Sequence, residues 1–194
     1  MRASRLLAGA FLALLAACDS PPRDAIVPAP KQAEIVNYAV DERGIRKVAT
    51  FEAEVLVLAR KGYGGVFGDD MADYAPFDLA VAWGEGARAE VHGAVDIRQS
   101  NRFYHWRASA DAWQDSRVRR FGLHSANWHI IPADDAVADA MWPVRPGDVV
   151  RLKGFLVDIE APDGRRWNTS RTRTDSGAGA CEIFLVSKAR LADG

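Results

Sequence analysis

Ser125, Asn127 and His129 occupy alternate positions of a polar stretch, residues 123–131, that has the period of a strand. With His105 and a distant carboxylate, Asp175, they make the one set of residue types in the chain from which a hydrolase could be built. Nucleophilic catalysis needs a serine within hydrogen-bond reach of a histidine that a carboxylate orients. Four residues along an extended strand is about 13 Å, so Ser125 and His129 can pair only if the chain turns between them. No Gly-x-Ser-x-Gly elbow is present. The ordinary role for these side chains is to satisfy buried backbone groups or to line a groove. The histidines His92, His105, His124 and His129 show no metal-ligand spacing, so neither a metal nor another cofactor is expected. Cys181 follows a glycine-rich loop and has Glu182 beside it. A neighbouring carboxylate raises a thiol pKa, which favours a small buried residue over a nucleophile.

A second set could bind rather than react. Arg98, Arg102, Arg107, Arg117, Arg119 and Arg120 are interleaved with Phe103, Tyr104, Trp106 and Trp113, and Arg165, Arg166, Arg171 and Arg173 follow later. Cations among aromatic rings suit an anionic or stacked ligand. The candidate ligand-binding residues are Arg102, Tyr104, His105, Trp106, Ser125, Asn127, His129, Trp167, Arg171 and Asp175. A single cleft requires Trp106, His129, Arg171 and Asp175 to converge. The ordinary alternative is surface charge over core aromatics.

These residues must be positioned by strands. Alternation over residues 51–59, 77–83, 91–97, 102–107, 123–131, 150–159 and 181–186 gives about seven short strands. Between the first two lies a long loop, residues 61–76, rich in Gly and Asp. Asp134 is placed to cap a short helix over 135–141, which Pro143 stops. The apolar parity flips at Gly154, as at a β-bulge, and Pro162-Asp163-Gly164 reads as a hairpin turn that residues 167–173 continue. The expected fold is mostly β: a single small barrel-like domain, OB-like in one version, or a sandwich, with one or two short helices over residues 45–190.

Everything upstream of Cys18 has a different character. Arg2 and Arg5 precede an uncharged Leu- and Ala-rich run, residues 6–17. It is shorter than the roughly 20 residues that span a bilayer and fits a signal-peptide core. Leu15-Ala16-Ala17-Cys18 resembles the lipobox of bacterial lipoproteins. That resemblance implies cleavage before Cys18, lipidation of its sulfur and acylation of its amino group. Asp19 resembles an inner-membrane retention signal. Residues 18–44, with Pro21, Pro22, Pro28 and Pro30, read as a lipidated N-terminus and tether.

Without residues 1–17 the chain holds 23 basic and 26 acidic residues, a net charge of −3. That balance and an exported location argue against nucleic acid as a partner. With Cys18 lipidated, Cys181 has no intramolecular disulfide partner.

The motif Ser125-Ala126-Asn127-Trp128-His129-Ile130-Ile131-Pro132, with Gly154-Phe155-Leu156-Val157, Trp167, Asp175-Ser176-Gly177 and Gln99-Ser100-Asn101-Arg102-Phe103-Tyr104-His105-Trp106, is similar to stretches in a family of uncharacterised bacterial membrane-attached or exported proteins. The likeness covers roughly residues 50–187 and implies no activity. The expectation is a lipid-anchored protein of the bacterial cell envelope, facing the periplasm or exterior, with a non-catalytic binding or structural β domain. Its partners would be the membrane through the anchor and an envelope protein, a glycan or an anionic ligand. A hydrolase built on His105, Ser125, Asn127, His129 and Asp175, and an OB-like binder of oligosaccharide or polyanion, are the alternatives.

Overall fold

The computed structural model describes residues 24–25, 27–36, 39–64, 69, 71–175, 177 and 179–192. Residues 1–17, expected as a signal peptide, and Cys18 and Asp19 lie outside the described residues.

Among the described residues nine strands form, β1 (Lys31–Glu34), β2 (Ile45–Gly62), β3 (Phe77–Ala82), β4 (Val95–Ser100), β5 (Phe103–Ala108), β6 (Ser125–Pro132), β7 (Val149–Glu160), β8 (Arg166–Trp167) and β9 (Glu182–Leu191). Five of them close a ring in the order β2-β3-β6-β9-β7, because β7 also pairs with β2. Every pairing in the ring is antiparallel except β6 with β9, which is parallel. This is a small Greek-key barrel with the connectivity of an OB-fold, and closure removes the free edges a sandwich would keep. β1 and β8 add to the ring at β2 and β7.

Phe51 on β2, Trp128 on β6 and Phe184 on β9 meet edge to face at centroid distances of 4.9–5.7 Å. β2 neighbours neither β6 nor β9 in the ring, so these rings can meet only across the interior. Trp128 and Phe184 therefore define the inward parity of β6 and β9, and Ser125, Asn127 and His129 take the outward one.

Helix α3 (Asp135–Met141) joins β6 to β7 and sets Val137 and Met141 into the core. Its first turn is capped as expected, with Asp134 accepting from the Val137 amide at 2.9 Å, worth about 1 kcal/mol. The bulge falls at Gly154, where the β7–β9 register shifts. The turn at Gly164 takes φ +84° and pairs Ile159 with Trp167.

Several expectations need correction. Helical structure exceeds one or two pieces: α1 (Ala89–His92), α2 (Ser116–Arg119), α3 and three 3-10 turns are present among the described residues. Residues 89–92 form helix rather than strand, and the strand begins at Val95. A single helical turn around one buried residue, Val91, leaves no period in the sequence to read. β8 stops at Trp167 because side chains take over from the ladder. The Thr169 amide donates to Asp158, and Thr169 Oγ1 accepts from the Ile183 amide, which turns the chain toward β9.

The stretch expected as a tether is bound to the barrel over its described part. Ala25 and Val27 are buried in the core, the Ala25 amide donates to Ala87, and β1 pairs along β2.

Candidate functional site

The insertion between β3 and β6 carries the β4–β5 hairpin. Ser100 pairs with Phe103, so its turn is the two residues Asn101 and Arg102, both left-handed at φ 49° and 67°. Two-residue hairpin turns favour this conformation, but an arginine rarely occupies it. The contacts of the Arg102 guanidinium offset that strain. It bonds both oxygens of Asp69 at 2.6 and 2.8 Å, Asp78 at 3.0 Å and the Ala75 carbonyl at 2.8 Å, and stacks 3.6 Å over the Tyr63 ring.

Asp78 is the hub of this network and was not foreseen. It points outward from the start of β3 with no solvent exposure. Besides Arg102 it accepts from Tyr63 at 3.0 Å and Asn127 at 3.2 Å, and it lies 2.8 Å from Nδ1 of His129. Asn127 also bonds the Arg102 carbonyl and accepts from Gln99, tying the hairpin down from a second side. Trp167 closes over His129 with ring centroids 4.5 Å apart. Arg102, His129 and Trp167 are thus fasteners of the hairpin to the outer barrel wall. Asp69 is held below the usual carboxylate range by its bonds to Arg102, and burial pushes the Tyr63 phenol up.

Beside this network lies a cavity of about 280 Å³, where β3 ends and β6 and β9 begin. The hairpin contributes Tyr104, His105 and Trp106 to its wall, β6 contributes Ser125 and Asn127, and the β8–β9 connection contributes Arg173 and Asp175. Six of the ten expected ligand residues meet here. Arg171 does not: it pairs with Glu34 at 3.4 Å and Asp158 at 3.7 Å. Trp106, His129, Arg171 and Asp175 therefore do not share one cleft.

The reactive groups at this wall are already engaged. Ser125 donates to the Phe121 carbonyl at 2.8 Å, so the hydrogen bond between Tyr104 and Ser125 runs from the phenol. Burial pushes the Tyr104 hydroxyl up to about 12. Burial, with the charges of Glu182 and Asp78, pushes the Cys181 thiol up to about 12 as well. Ser125 has Tyr104 and the Phe121 carbonyl as partners, not a histidine, so the serine–histidine pairing that the hydrolase alternative needs does not form.

Glu182 was the second residue missed. It faces inward at the start of β9, 1% exposed, and lines the cavity. Burial raises its carboxyl to about 7, against the pull of Arg173, which donates to Oε1 at 3.0 Å. Its Oε2 has no hydrogen-bond partner among the described residues. Trp128, its register partner on β6, likewise has an indole N–H without one.

The clustered arginines are mostly neutralised. Arg117 bonds Asp115 and Glu90, Arg120 bonds Glu85, and Arg98 bonds Asp96. A larger hollow of about 750 Å³ is walled by α3, β1 and strands β2, β7 and β9. Its wall carries exposed ion pairs such as Lys153–Glu52, and no buried polar side chain faces it. Among the described residues no group of three or more His, Cys, Asp or Glu is placed to hold a metal ion, and no helix is long and apolar enough to cross a membrane.

Comparison with family models, with curated proteins and with solved structures finds no match to the chain.

Proposed function

We propose that the chain is a lipid-anchored protein of the bacterial cell envelope whose barrel binds a ligand in the cavity between the β4–β5 hairpin and the starts of β6 and β9. The observation that carries the binding reading is the state of that cavity. Residues from three separate segments converge on it, yet its serine is spent on Phe121 and Tyr104, and its thiol is held protonated. The anchor rests on the signal-like run and Cys18.

The two parts fit together tightly. Asp24 accepts from the Ala89 amide and Ala25 is buried, so the leash runs only from Cys18 to Asp24. Six residue steps reach about 20 Å at full extension. A domain so tethered works against the bilayer surface, not at a distance from it. The pairing of the arginines disfavours a polyanion as the ligand.

The test is direct. The natural product carries lipid on Cys18 by mass spectrometry, and C18S leaves the membrane fraction. Fractions of envelope extract quench the tryptophan fluorescence of the purified protein saturably and are recovered unchanged. An unlipidated product, or turnover of an envelope component, overturns the reading.

One observation favours a hydrolase as a second reading. Glu182, with a carboxyl near neutrality, shares the cavity with Asp175, and a carboxyl of that kind suits a general acid. Turnover abolished in Glu182→Gln would support this version over the first.

A further inference from the structure

We infer that the cavity takes an uncharged, hydroxyl-rich ring, a saccharide unit, with one ligand hydroxyl donating to Oε2 of Glu182. The inference rests on the binding reading above and names its ligand class.

The starting point is an acceptor kept where it is costly. Glu182 is 1% exposed, one oxygen is held by Arg173, and the other has no partner among the described residues. Folded proteins rarely leave buried polar atoms in that condition, and those that persist call for an explanation. Trp128 offers an unpaired donor from the neighbouring strand, in register with Glu182. In a parallel pair such partners project to one side of the sheet, so an unmatched donor and an unmatched acceptor share the same end of the barrel.

Charge decides which donor fits. Arg173 already supplies a full positive charge 3.0 Å from Oε1. A second cation at Oε2 would meet that guanidinium across the carboxylate, and an anion would meet Glu182 and Asp175. What Glu182 lacks is a proton donor, not a counter-charge. A hydroxyl supplies that without either penalty.

The walls fit the rest of such a ring. Trp83, Tyr104 and Trp106 offer aromatic surface to its C–H faces, and Thr172 and Asp175 offer polar groups at its edge. About 280 Å³ lies just below the usual range of small-molecule pockets, which limits the buried part to one or two rings.

The experiment uses the full lipidated chain in detergent micelles, with tryptophan fluorescence as the readout. The probes are N-acetylglucosamine and its short oligomers, glucose, glucosamine as a cationic ring and glucuronate as an anionic one. Saturable binding of a neutral sugar is expected, at least tenfold tighter than glucosamine or glucuronate. Glu182→Gln is expected to weaken it at least tenfold while the circular dichroism spectrum is retained. If that variant does not fold, Trp106→Leu on the cavity wall must produce the loss instead. A charged sugar binding tighter than its neutral counterpart, or variants that bind as well as the parent, overturns the inference. A broad thermal-shift screen separates the two levels. A cavity ligand of another class sinks the saccharide and leaves the binding reading standing, whereas no cavity ligand of any class sinks both.

Discussion

Arg102 reaches from the tip of a two-residue turn to Asp78, a carboxylate with no solvent exposure near the start of β3, at 3.0 Å. The pair joins a hairpin outside the barrel to the barrel wall. It also explains why an arginine tolerates φ 67°. Both partners are largely desolvated, since the Arg102 side chain is only 12% exposed.

Removing one member of such a pair is far worse than never having had it, because the other is left charged and buried. Arg102→Ala is expected to cost about 3–5 kcal/mol in chemical denaturation. Arg102→Lys should recover only part of this, since an ammonium keeps the charge but loses the fork to Asp69 and the stacking on Tyr63. Arg102→Ala combined with Asp78→Asn should cost less than the sum of the two single changes. Additive costs in that double-mutant cycle would show that the two residues are not coupled.

Cys181 gives a chemical test of the cavity wall. With its thiol near 12, the thiolate fraction at pH 8 is about 10⁻⁴, roughly a thousandfold below that of an ordinary exposed cysteine. In a C18S chain Cys181 is the only thiol. Maleimide labelling should then be slow in the native state and fast in denaturant. Equal rates in both states would contradict the burial assigned to this sulfur.

Local features of the fold were legible because each has a local cause. Asp134 announces α3, Gly154 marks the bulge by a change of apolar parity, and Pro162-Asp163-Gly164 marks a turn. The site was only half legible. Tyr104, His105, Trp106, Ser125, Asn127 and Asp175 stood out by type and do line one cavity. Asp78 did not, because a polar residue between Phe77 and Leu79 looks like the wet face of a strand. Its burial is imposed by Arg102 and Tyr63, 24 and 15 residues away. Glu182 was hidden in the same way by the closure of β9 onto β6. His129 misled in the opposite direction, since a histidine on a polar strand suggests chemistry and here braces Asp78 under Trp167.

The bulge at Gly154 can be tested against a glycine with a different burden. A Cβ at Gly154 would lie 2.0 Å from the Leu185 carbonyl oxygen, backbone that cannot swing aside. Gly154→Ala should therefore cost about 3 kcal/mol or more. Gly147 has φ +94° but open space around the added carbon, so Gly147→Ala should cost only about 1 kcal/mol of backbone strain. Unfolding midpoints that rank the two in the other order would argue against the close β7–β9 approach.

Glu182 makes a prediction about pH whose sign is unusual for a carboxylate with an arginine partner. Its pKa is raised by burial, from an ordinary 4.5 to about 7. Between those values the folded chain holds a proton that the unfolded chain has released. By linkage, the stability this group contributes is fully present below about 4.5 and is lost as pH rises through about 7. The difference corresponds to about 3 kcal/mol above that window, as an order of magnitude. Glu182→Gln removes the titration while keeping the shape. The parent minus variant difference in unfolding free energy should therefore slope downward from pH 4.5 to 7 and be flat beyond it. A neutral hydroxyl donor bound at Oε2 stabilises the charged form, so a ligand of that kind should lower the Glu182 pKa and shift the slope to lower pH. A difference that instead rises across the window would mean that Arg173, not burial, governs this carboxylate.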